Sequence, residues 1–106
     1  MTYVNLTPHP VDIYGNNTIE QGPVESVPPS GTIARLAMIE LGTGDGYQLV
    51  EYGQADGLPP KQDGIYYIVS LVVALTVHRD DLLAPYVEVR NERGTMIGCR
   101  YLQKVC

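Results

Sequence analysis

Phenylalanine and tryptophan are both absent from this chain, so its aromatic content is eight tyrosines, each with a hydroxyl that needs water or a partner. Histidine is scarce: His9 sits between Pro8 and Pro10, and His78 precedes Arg79. Neither belongs to a spacing that identifies a metal site, and none is assigned. Basic residues are few, seven against twelve acids, and the net charge of −5 argues against nucleic acid as a partner, which needs a basic footprint. No apolar run approaches the ~20 residues of a membrane-spanning helix. The longest, within residues 65–77, is interrupted by Ser70 and Thr76. Residues 1–5 lack the basic and apolar stretches of a signal peptide, so a cytosolic protein without a membrane partner is expected. Cysteine is limited to Cys99 and Cys106. On an extended tail their Cα atoms lie roughly 23 Å apart, beyond disulfide reach, which predicts two free thiols with Cys99 a small core residue.

What is abundant is punctuation. Eleven glycines and eight prolines cut 106 residues into short pieces and exclude a helical bundle or coiled coil. With 44% apolar and 18% charged residues the chain reads as folded, and its length is room for one domain, residues 1–106. Short strands are predicted at residues 4–6, 11–14, 18–19 and 24–27, with Pro28-Pro29-Ser30-Gly31 a strong stop. Residues 33–41 fit two templates. Ile33, Leu36, Ala37 and Leu41 share a helical face, whereas a period of two leaves both rows mostly apolar, as in a central strand. The hairpin-rich context selects strand, paired across Gly42-Thr43-Gly44-Asp45-Gly46 with a second strand at 47–52. Residues 65–69, β-branched and aromatic, form the clearest strand, buried on both faces. Ser70 is placed to cap a short helix over 71–76. A last hairpin joins 87–90 to 95–102 around Asn91-Glu92-Arg93-Gly94, with Gly94 in the left-handed position. The expected fold is mainly β: a single small antiparallel sheet, or a partly closed barrel, with one short helix.

The candidate chemistry is polar and sparse. Arg79-Asp80-Asp81 is the densest charge cluster. Either Arg79 pairs with a neighbouring acid and an Asp caps a turn, or Arg79 grips an anion while an Asp accepts hydroxyls. Ser30 and Thr32 flank Gly31 in a loop with the hydroxyls and amides of an anion nest, without the Gly-Lys-Ser/Thr ending of a Walker loop. Arg35 is the one cation among apolar neighbours, either paired internally or aimed at a ligand. Tyr66 and Tyr67 point to opposite faces of their strand, leaving one free to stack on a ring. No nucleophile elbow, catalytic triad or cofactor motif can be assembled, so a non-enzymatic protein with no cofactor is expected. The candidate ligand-binding set is Ser30, Thr32, Arg35, Tyr66, Arg79, Asp80 and Asp81, converging on one pocket for a small anionic, nucleotide-like ligand.

Five blocks occur in order along the chain: Asn5-Leu6-Thr7-Pro8-His9, Pro28-Pro29-Ser30-Gly31-Thr32-Ile33-Ala34-Arg35, Gly57-Leu58-Pro59, Ile65-Tyr66-Tyr67-Ile68-Val69-Ser70 and Arg79-Asp80-Asp81-Leu82-Leu83-Ala84-Pro85. In them the chain resembles a family of small accessory proteins of tailed bacteriophages and prophages. The likeness spans nearly the whole chain and brings no catalytic residues with it. It implies a phage protein acting in the host bacterial cytoplasm. Such a protein would counter antiviral defence by sequestering a nucleotide-derived signal or blocking a host defence protein. A structural or assembly role in the particle is the alternative, and homo-oligomerisation stays open.

Overall fold

Residue by residue, alternation and punctuation are converted into eight strands and one helix in a computed structural model that describes residues 2–105. The strands are β1 (Thr2–Asn5), β2 (Val11–Ile13), β3 (Glu25–Val27), β4 (Arg35–Gly44), β5 (Tyr47–Asp56), β6 (Ile65–Ile68), β7 (Leu82–Arg90) and β8 (Met96–Gln103), with helix α1 (Leu71–Val77) between β6 and β7. Six of them form one sheet in the order β1-β6-β7-β8-β2-β3. The two ends of that sheet meet: Asn5 bridges Pro29, and the Ser30 amide donates to the Asn5 carbonyl at 3.0 Å. The result is a nearly closed barrel. β4 and β5 pair only with each other and form a separate two-stranded arm.

Of the two architectures expected, the barrel stands and the purely antiparallel sheet does not. β1–β6, β6–β7 and β2–β8 are parallel pairs, while β2–β3 and β7–β8 are antiparallel. The parallel β6–β7 pair needs a crossover, which α1 supplies. Ser70 occupies the N-cap with extended φ/ψ but makes no side-chain capping bond, so the expected hydroxyl cap is present in position only. Residues 18–19 are a turn and not a strand: the Thr18 amide donates to Gln21 Oε1 at 2.8 Å and the Gly22 amide to the Thr18 carbonyl at 3.2 Å. Side-chain capping outcompeted pairing there. The last hairpin closes as read, with Asn91 Oδ1 accepting from the Arg93 and Thr95 amides and Gly94 at φ 79°.

The core lies on both sides of β6. Tyr67 and Val69 face Leu6, Val73, Ala74, Leu82 and Ala84, the layer that α1 covers. Ile68 faces Val11, Ile13, Val27 and Cys99 inside the barrel. Every one of these side chains is at most 9% exposed, so β6 is buried on both faces as its composition predicts. Cys99 is a free thiol, and burial pushes its pKa up. The expectation for Cys106 lies outside the described residues. Among the described residues, no helix is long and apolar enough to cross a membrane.

Candidate functional site

The five sequence blocks meet through hydrogen bonds that hold the barrel together. Asn5 is 1% exposed and fully satisfied: its Nδ2 donates to the Val27 and His9 carbonyls at 3.0 and 2.8 Å, and its Oδ1 accepts from the Thr7 amide and hydroxyl at 2.9 and 2.6 Å. One buried amide side chain thereby ties β1 to β3 across the barrel seam. Such a group is stabilising only because every donor and acceptor is used.

Arg79 and Asp81 form a second pin. Arg79 Nε and Nη2 donate to the two Asp81 carboxylate oxygens at 2.9 and 2.5 Å, and Nη1 donates to the Pro59 carbonyl at 2.9 Å. The guanidinium lies 6.0 Å from the Tyr67 ring centre. Asp81 is 3% exposed, and its hydrogen bonds raise the pKa of Arg79. This bidentate geometry is the strong form of an ion pair. It also consumes the fork that an anion would need. Asp80 turns the other way, to the surface, where Lys61 donates to it; that bond holds the Asp80 carboxyl below its usual range and raises Lys61.

The seven candidate ligand-binding residues therefore do not converge. Asp80, Asp81 and Tyr66 line one cleft of about 200 Å³ together with Lys61, Gln62 and Asp63. Ser30 and Thr32 lie outside it, exposed and bonded to each other, with the Ser30 hydroxyl accepting from the Thr32 amide at 3.3 Å. Arg35 stands at the root of the arm, exposed and opposite Asp56. The expected single pocket fails because Arg79 is bound from within and Arg35 begins a strand that leads away from the barrel. A separate cleft has a volume of about 750 Å³. It is lined by Glu20, Glu92, Arg93 and Arg100 among others, two acids against two bases, and has no electrostatic preference for an anion.

The feature that sequence reading misplaced is the β4–β5 arm. Of residues 33–41, positions 35–41 are strand, but not a central one: β4 and β5 are almost wholly exposed. In their register Met38 opposes Tyr52 and Glu40 opposes Val50, whereas Ile39 opposes Glu51 and Gly42 opposes Leu49. Each face of the ribbon thus carries large apolar side chains. Met38, Ile39, Leu41, Tyr47, Leu49, Val50 and Tyr52 are between 40% and 60% exposed. At the root, a Cβ on Gly57 would overlap the Ile33 carbonyl, and φ of 79° there suits glycine, so the two ends of the arm leave the barrel side by side. No protein-family model matches the chain, and neither does any curated protein or solved structure.

Proposed function

We propose that this chain is a non-enzymatic, phage-encoded binding protein whose target is a protein surface, gripped by the β4–β5 arm. One observation carries the reading: a two-stranded ribbon presents seven large apolar side chains to solvent, on both of its faces. An isolated hairpin is marginal in water, and exposed apolar surface on this scale marks an interaction site. The phage setting rests on the resemblance of the five blocks. In that setting the grip blocks a host defence protein. Particle assembly is the second reading, favoured by the arm's projection, which suits reaching a neighbouring subunit. Sequestration of a nucleotide-derived signal draws less support, because the Arg79 guanidinium is held by Asp81 and Pro59.

The test is a photo-crosslinking residue placed at position 49 on the arm or at position 20 on the barrel, each introduced into the full chain in infected bacteria. Protein adducts concentrated at position 49 support the reading. A defence protein among them favours blocking, and a particle component favours assembly. Absence of arm adducts, with a nucleotide retained by the purified chain in native mass spectrometry, overturns it.

A further inference from the structure

The interior of the barrel opens at one end into an aromatic cleft. Side chains two positions apart on a strand share a face, so the inward rows can be followed out of the core. Tyr66 stands two residues before Ile68, Glu25 two before Val27, and Tyr101 two after Cys99; Ile68, Val27 and Cys99 all belong to the core inside the barrel. Tyr3, which packs on that core, pairs in register with Tyr66 on the neighbouring parallel strand. These residues line one cleft of about 430 Å³, and the buried Ile13 and Leu83 with the half-buried Leu102 complete its apolar lining. Barrel mouths are common ligand sites, and this volume falls within the roughly 300–1,000 Å³ of small-molecule pockets.

Three tyrosine rings in one cleft suit a flat apolar body, which packs on ring faces and edges. Tyr101 is fixed there by its hydroxyl, which donates to Asn16 Oδ1 at 2.7 Å. The remaining lining residues are one acid and one base, Glu25 and Lys104, both exposed. Among the described residues neither belongs to an ion pair. Lys104 lies near Asp80, but the hydrogen bond to that carboxylate comes from Lys61. A purely anionic ligand would meet Glu25 and the overall charge of −5, and a purely cationic one would meet Lys104. A ligand that carries both signs and no net charge meets neither obstacle.

We propose that the barrel mouth binds a zwitterionic aromatic amino acid, with its ring among Tyr3, Tyr66 and Tyr101, its carboxylate toward Lys104 and its ammonium toward Glu25. The site is separate from the arm, since none of its lining residues belongs to β4 or β5. It gives Tyr66 the ring-stacking role that its strand position allows, with partners from β1 and β8 that only the closed barrel brings beside it.

The chain has no tryptophan, so indole emission, excited where tyrosine does not absorb, reports the ligand alone. The experiment is fluorescence anisotropy of L-tryptophan titrated with the full chain in about 0.15 M salt, which screens the net charge. Tryptamine, which lacks the carboxylate, and indole-3-propionate, which lacks the ammonium, are titrated alongside. L-Tryptophan is expected to bind with Kd of about 1 mM or tighter, and each analogue at least about threefold more weakly. Lys104→Gln should weaken L-tryptophan and indole-3-propionate and spare tryptamine. Glu25→Gln should weaken L-tryptophan and tryptamine and spare indole-3-propionate. Both positions are exposed, and Tyr101→Leu, at a half-exposed site, should weaken all three ligands. No anisotropy change with any of the three overturns the site. Equal binding of all three, or binding that the variants leave unmoved, overturns the zwitterion, as does tryptamine or indole-3-propionate binding tighter than L-tryptophan.

Discussion

At the scale of single residues, the two aspartates of the charge cluster have opposite worth. Asp81 is buried and holds Arg79 with both oxygens, so Asp81→Asn should cost about 2–4 kcal/mol by leaving a partly buried guanidinium short of its counter-charge. Asp80 meets Lys61 in open solvent, and Asp80→Asn should leave the urea midpoint almost unmoved. Equal losses for the two variants would contradict this division. Cys99 offers a pH test. Its folded pKa is raised by burial, so the stability owed to the protonated thiol is fully present below the ordinary thiol range and is lost as pH climbs through the raised value. The stability difference between the wild type and Cys99→Ala should therefore shrink in alkali. Thiol reagents should label Cys99 slowly until the chain is unfolded.

At the scale of elements, two positions depart from what their residue type would suggest. Ser70 stands at the N-cap of α1 but contributes no side-chain bond, so Ser70→Ala should cost less than about 0.5 kcal/mol instead of the usual ~1. Val87 sits in β7 with a left-handed backbone. Val87→Gly should fall within about 1 kcal/mol of neutral, because relief of backbone strain offsets the freedom glycine gains when unfolded. The nearby Val89, 4% exposed, should lose about 2–4 kcal/mol on the same change. Thermal or urea denaturation of the pair separates strain from burial. If Val87→Gly proved as damaging as Val89→Gly, the left-handed geometry would not be the feature that distinguishes them.

At the scale of the whole molecule, the barrel and the arm are stabilised by different means. The radius of gyration, 15.6 Å, exceeds the about 13 Å of an ordinary domain this long, in keeping with an arm that stands clear of the core. Amides of β6, with core on both faces, should exchange with solvent only on global unfolding. Those of β4 and β5, which pair only with each other, should exchange by local opening. Hydrogen-exchange mass spectrometry on dilute protein reads both at once. Uniform protection of arm and barrel in dilute solution would mean that the arm is stable unaided.

Sequence by itself determined what short-range physics dictates. The β6 run is apolar on both faces and is buried on both, the Asn91–Gly94 turn closes its hairpin, and Cys99 is a core thiol. It also determined that residues 35–41 are strand, but not what lies beside them, because two apolar rows describe an uncovered ribbon as well as a central strand. Only the tertiary structure decided that Arg79 turns inward to Asp81 and Pro59, that Asn5 pins β1 to β3, and that Ser30, Thr32 and Arg35 share no pocket with Arg79. Those outcomes depend on partners such as Pro59, 20 positions away, and Val27, 22 away. A local pattern shows that a polar group needs a partner. It takes the closed barrel to supply one.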